Sequence, residues 1–156
     1  MRLECKISPP MCLKALSLRP PPHSVVCNFY GEQDEDVSHL FLFIACGMTQ
    51  QVWDFVTTWC RVGSVFFLDL KDVVKVQDRY RGSRVWHKVI LSILQITLWI
   101  IWKNRNDANF NDKRINLANM KEEIKIYSFL WVKNRANCRG LTWEDWCSFN
   151  LHCMGA

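Results

Sequence analysis

No two of the eight cysteines in this 156-residue chain are separated by only two residues, so the paired-thiol turn that opens most structural zinc sites is missing. There is no Gly-rich phosphate loop, no Gly-x-Ser-x-Gly turn around a nucleophile and no His-Glu-x-x-His pair. Those absences exclude, by pattern, P-loop nucleotide hydrolysis, α/β-hydrolase chemistry and metalloprotease chemistry of that type. The stretch MRLECKISPPMCLKAL holds no apolar run of signal-peptide length, so the thiols are expected to stay reduced. The longest apolar run, Val89 to Trp102, has fourteen residues and is interrupted by Ser92, Gln95 and Thr97. A bilayer crossing takes about 20 residues, so this run reads as a buried helix, with no membrane partner expected.

What is present suits one packed domain. Hydrophobic residues make up 49% of the chain and charged residues 22%, with eight Trp, which is enough apolar surface to offset chain entropy. The net charge of +5 is regional: residues 71–140 hold fifteen Lys/Arg against six Asp/Glu, and residues 1–70 hold five against seven. A net of +9 over 71–140 favours a polyanion through phosphate contacts. The plainer reading is a solvated helix face.

All five prolines fall within residues 1–26, where they remove amide donors and disfavour helix before them, so this stretch is expected to be an irregular leader with a helical turn near Leu13–Leu18. Residues 27–60 are read as a small Cys/His segment ending in an amphipathic helix, with Thr49 as its N-cap and Val52, Trp53, Val56, Trp59 and Cys60 at helical spacing. Residues 61–156 are read as a helical C-terminal region. A short helix is expected near Asp69–Val76. Ser83 caps the longest helix, in which Trp86, Val89, Ile90, Ile93, Leu94, Thr97, Leu98, Ile101 and Trp102 recur at three- and four-residue steps. The Asn/Asp-rich run from Asn104 to Asn111 is expected to fray or stop it. Asn116 caps a further helix to about Arg135, with Leu117, Met120, Ile124, Tyr127, Leu130 and Trp131 inward, Lys121, Lys125 and Lys133 outward, and Gly140 closing it. Trp143 and Trp146, three apart, share one face of a final turn. The fold class expected is mostly α, with a small Cys/His knuckle joined to a helical body.

The residues that carry chemistry are Cys27, His39 and Cys46, followed by Trp53. They offer at most three of the four ligands that a tetrahedral zinc site needs, since Tyr30 stands where a second thiol would complete a Cys-x-x-Cys pair. A three-ligand catalytic zinc would also need a base and a cleft. Glu32, Asp34, Glu35 and Asp36 are close by but read as a solvated acidic loop. His23 or Cys60 are alternatives for the missing ligand. Cys5, Cys12, Cys60, Cys138, Cys147 and Cys153 show no Cys-x-x-Cys pairing and read as ordinary small apolar or surface side chains. Cys138 with His152 could form a nucleophile–base pair, but nothing in the sequence supplies the third, orienting group.

The string CNFYGEQDEDVSHLFLFIACGMTQQVW resembles the zinc-binding region downstream of the polymerase in plant LINE-type, non-LTR retrotransposon reverse transcriptases. LWIIWKNRNDANFN is similar to that family's Trp-x-x-Trp-Lys-x-Arg-Asn-x-x-x-Phe segment, and FLWVKNRANCRGLTWEDWC to its C-terminal end, so the likeness runs in order over roughly residues 18–150. The resemblance implies that Cys27, His39 and Cys46 are metal-ligand positions. It also implies a nuclear, non-catalytic segment that handles RNA or DNA beside the polymerase part of its parent element. The Tyr-x-Asp-Asp turn of such a polymerase does not occur in this chain.

Phosphate contacts in that reading fall to Arg79, Arg81, Arg84, Lys88, Lys103 and Arg105, with Trp or Phe rings stacking on unpaired bases. Trp86, Trp99 and Trp102, at helical intervals, read instead as core. Two other readings stand beside it: a helical protein-interaction module with an aromatic face around Trp131, Trp143 and Trp146, and a translated remnant with no selected function.

Six residues separate His39 from Cys46, where the family commonly has four, and Tyr30 removes one thiolate. The natural chain is therefore expected to hold zinc weakly or not at all, and Tyr30→Cys to raise its affinity by orders of magnitude. Metal analysis and chelator competition on both forms check this. Stoichiometric, tightly held zinc in the natural sequence would point to a replacement ligand such as His23 or Cys60.

Overall fold

The computed structural model describes residues 47–63, 82–135 and 140–151. They form four helices: α1 over Gly47–Trp59, α2 over Arg84–Asn111, α3 over Leu117–Arg135 and α4 over Trp143–Cys147. No strand occurs among the described residues, and their mostly α character agrees with the helical periodicity of the sequence. The leader at 1–26, the segment from Cys27 to Cys46 and the helix expected near Asp69–Val76 lie outside the described residues.

α2 forms where Ser83 and the apolar repeat place it. Ser83 sits in extended backbone and its Oγ accepts from the Trp86 amide at 3.1 Å, satisfying one of the donors that a helix start leaves open. Gly82 just before it lets the Trp86 ring close over the backbone, since a Cβ there would stand 2.8 Å from that ring. Val89, Ile90, Ile93, Leu94, Leu98, Ile100 and Ile101 are all buried. Spread around the helix, they make a face too wide for one neighbour, and both α1 and α3 pack on α2. By length and composition alone α2 could cross a membrane, and half of its most apolar window is buried inside this body.

α2 also continues through Asn104–Asn111, where the sequence suggests a stop. The polar side chains there bond along the helix instead of against it. Asn104 Nδ2 donates to the Ile100 carbonyl at 2.9 Å, and Asn111 Nδ2 to Asp107 Oδ1 at 3.2 Å. The helix ends at Asp112, in left-handed backbone at φ 48°, with its amide and that of Lys113 turned back to the Asp107 carbonyl.

α1 begins two residues before Thr49, which is buried and not the cap. Thr49, Val52, Trp53, Val56 and Thr57 form its inward stripe, so the Thr49 side chain faces the core. α1 closes in a Schellman turn: the Val62 amide reaches the Thr57 carbonyl at 3.0 Å, Arg61 takes φ 55°, and Val62 is buried behind it.

In α3 the Asn116 Oδ1 accepts from the Asn119 amide at 3.2 Å, as a cap should. The inward stripe differs from the one expected: Met120, Ile124, Ser128 and Val132 are buried at four-residue steps. Tyr127 and Leu130 are exposed, and Leu117 and Trp131 are half-buried. Ser128 fits the seam because its hydroxyl donates to the Ile124 carbonyl, leaving no buried donor unmet. α3 ends at Arg135, and Gly140 lies in a turn beyond it.

α4 is capped by Thr142, whose hydroxyl accepts from the Asp145 amide at 3.1 Å. Trp146 is fully buried, while Trp143 keeps 37% of its surface exposed. Both rings meet Phe129, at centroid distances of 6.1 and 5.3 Å. Trp146 Nε1 donates to the Lys125 carbonyl at 3.0 Å, and Trp59 Nε1 donates to the Trp146 and Cys147 carbonyls, each at 3.1 Å. With Arg61 donating to the Ser148 carbonyl, these bonds clasp α4 to α1 and α3.

Ile93 is fully buried, whereas Phe110 is 71% exposed. Ile93→Ala should cost about 2–5 kcal/mol of stability and Phe110→Ala no more than about 0.5 kcal/mol. Urea unfolding followed by circular dichroism distinguishes them, and equal losses would contradict this core.

Candidate nucleic-acid interface

The cations singled out in the sequence are dispersed. Arg79 and Arg81 lie outside the described residues. Arg84 and Lys88 are exposed, one turn apart, at the start of α2. Lys103 is about 22 Å further along the helix at 1.5 Å per residue, and its ammonium is already engaged: Nζ lies 3.1 Å from a Glu123 oxygen, 5.7 Å from the Trp99 ring centroid and 6.0 Å from that of Tyr127. Arg105 is half-buried near the same end. The four of these cations among the described residues therefore do not converge on one surface.

Cys27, His39 and Cys46 lie outside the described residues, as do Cys138 and His152. Cys60, the alternative zinc ligand, is 2% exposed within the apolar core, and burial pushes its thiol far above the ordinary range. A zinc-ligating cysteine must give up that proton, so Cys60 behaves as a small core side chain. Among the described residues no group of three or more His, Cys, Asp or Glu is placed to hold a metal. Trp86, Trp99 and Trp102 are half-buried and pack against the core, in keeping with their helical spacing.

A different set of cations does meet aromatic rings. On α3, Lys121, Lys125, Phe129 and Lys133 follow at four-residue steps and form one ridge. Lys121 Nζ stands 5.3 Å from the Phe55 ring centroid, and Lys125 Nζ stands 5.5 Å from both Phe55 and Trp59. Further along, Lys133 lies 5.1 Å from Phe129, and Arg135 lies 5.1 Å from Trp131. None of these four cations forms an ion pair among the described residues. Lys103 and Lys113, by contrast, hold Glu123 and Asp107.

α1 supplies the other wall. Phe55 and Trp59, one turn apart, stack at 6.1 Å with their planes 11° from parallel. Beside them an open groove of about 500 Å³ is lined by Gln51, Asp54, Phe55, Thr58, Trp59 and Lys121. Sequence reasoning placed Lys121, Lys125 and Lys133 on the outward side of a helix but missed that Lys121 and Lys125 meet rings from a helix more than sixty residues away, while Lys133 meets Phe129 of its own helix. The arrangement offers ammonium groups for phosphate oxygens and flat rings beside them, the two elements of a sequence-tolerant single-strand surface.

Comparison of the chain with protein-family models, with curated proteins and with solved structures returns no significant match.

Asp107, within the last turn of α2, is held below the usual carboxylate range, chiefly by the hydrogen bond from Lys113; desolvation opposes this, and the Asn111 bond and the charges of Lys113 and Lys103 add to it. A carboxylate depressed on folding stabilises the fold at neutral pH and loses that contribution as pH falls through its lowered midpoint. Because this carboxyl is only half-buried and stays in contact with water, the contribution is small. In a carboxyl NMR titration Lys113→Ala should move the Asp107 midpoint upward, and an unchanged midpoint would contradict the pairing.

Proposed function

We propose that this chain is a non-catalytic, mostly helical accessory segment of the kind that follows the polymerase in LINE-type reverse transcriptases, with a degenerate Cys/His knuckle, and that it binds RNA or DNA. What carries the proposal is the ridge of Lys121, Lys125 and Lys133, with Arg135 beyond, where cations lie over aromatic rings with no carboxylate partner among the described residues. Ammonium groups held by rings alone can turn to a phosphate without first breaking an ion pair. The excess of Lys/Arg over residues 71–140 supplies attraction of the same sign.

Zinc is not part of the binding mechanism in this reading. Cys27, His39 and Cys46 supply three donors of four, so the knuckle is a vestige and the helices carry the contact. The parent element's polymerase, acting in the nucleus, would supply the chemistry.

A second reading has one observation in its favour. Ile126 and Leu130, four apart on α3, are 41% and 48% exposed, and with Trp143 they could pack on another protein. Trp146, fully buried, has no part in such a face.

Ionic strength separates the two. Binding of a labelled single-stranded RNA through three or four of these cations should weaken with a log–log salt slope of roughly −2 to −3, and Lys121→Glu with Lys125→Glu should flatten it. Fluorescence anisotropy at low and moderate salt measures this. Salt-independent binding, or none at either salt, would refute the electrostatic mechanism.

A further inference from the structure

From the groove beside Phe55 we infer a slot for one unpaired guanine of a single-stranded nucleic acid, an inference that rests on the nucleic-acid-binding reading above and gives it a base preference. The five α1 residues that line the groove, Gln51, Asp54, Phe55, Thr58 and Trp59, recur at three- and four-residue steps and so occupy one flank of the helix, with Lys121 of α3 as the opposite wall. The volume of about 500 Å³ falls within the roughly 300–1,000 Å³ of ligand clefts. The groove is open to solvent, which suits a base on a strand better than an enclosed free metabolite.

Each wall has a distinct use. The Phe55 ring, stacked on Trp59, is a flat platform now covered by the Lys121 and Lys125 ammonium groups. An entering base takes the ring face that these groups occupy. The displaced ammonium groups, on long flexible stems, turn to the phosphates on either side of that base. Stacking of this kind tolerates any base, so the polar edge makes the choice.

Asp54 sets that choice. Its side chain is exposed, lines the groove next to Phe55 in the chain, and forms no ion pair among the described residues. A carboxylate repels phosphate and accepts donors. Guanine presents two adjacent donors, N1–H and N2–H, that a carboxylate can accept as a fork. Adenine and cytosine offer a single amino group on that edge and uracil a single N3–H. Pairing in a duplex occupies the guanine edge, so only an unpaired guanine can be read this way.

The test compares a labelled oligouridylate, the same strand with one central guanosine, and the latter annealed to its complement, all by fluorescence anisotropy against the full chain. The guanosine strand should bind about tenfold tighter than oligouridylate, and the duplex should lose that advantage. Asp54→Asn, at an exposed position with no structural bond to lose, should abolish the preference while leaving affinity for oligouridylate equal or higher. Lys121→Glu should weaken all strands alike. Equal binding of the two single strands, or a preference that survives Asp54→Asn, overturns the guanine slot but leaves nucleic-acid binding standing. Failure to bind any of the three overturns both.

Discussion

The width of the apolar face on α2 governs the rest of the fold. Its buried residues, from Val89 to Ile101, cover about half the circumference of the helix, and one partner helix contacts a narrower strip than that. A second partner is therefore required. Among the described residues α3 makes the larger contact with α2 and α1 a smaller one. Because α1 and α3 then meet one another along the edge of α2, their side chains are forced into proximity, and Lys121 and Lys125 of α3 come to lie over the rings of α1. The candidate interface is thus a by-product of covering the core helix, assembled from residues on the flank of each neighbour.

Closing such a core also requires that polar groups inside it find partners. Thr57, Thr97 and Ser128 are buried, and each donates its hydroxyl to a carbonyl one turn back, at Trp53, Ile93 and Ile124. Small hydroxyl residues can therefore stand in an apolar seam at little cost and let backbones approach. Helix ends show a similar economy in glycine. Arg61, Asp112 and Phe149 all take left-handed backbone, at φ 55°, 48° and 51°, where glycine would be unstrained. In two of these turns the strained position is tied down: Arg61 donates to the Ser148 carbonyl, and Phe149 is buried against Trp59.

The extent to which the fold was legible follows from the range of the interactions. The start of α2 at Ser83 and the start of α3 at Asn116 rest on contacts two or three residues long, and the sequence displays both. The inward face of α3 was not legible, because Leu130 and Tyr127 are apolar or aromatic yet outward while Ser128 is polar yet inward, and only the neighbouring helices decide between them. The persistence of α2 past Asn104 was equally hidden, since Asn and Asp favour helix ends unless an acceptor one turn away engages them. For the candidate interface, the charge balance singles out residues 71–140 as a whole and does not separate the lysine of α2 from those of α3. Lys103 looks free in sequence and is neutralised by Glu123, whereas Lys121 and Lys125 look ordinary and rest on rings contributed from far upstream.

The clasp between Trp59 and α4 spans 87 residues of chain, and that separation orders events during synthesis. α1 leaves the ribosome long before its closing partner exists, so Trp53 and Trp59 must wait without the helices that later cover them. α2 and α3, being consecutive and joined by a short turn, can pair as soon as both have emerged. α4 then arrives last and supplies the two carbonyls that the Trp59 indole requires. A nascent chain stopped before residue 146 would therefore leave the side of Trp59 that α4 covers open to solvent, with water in place of the two carbonyls on its indole N–H.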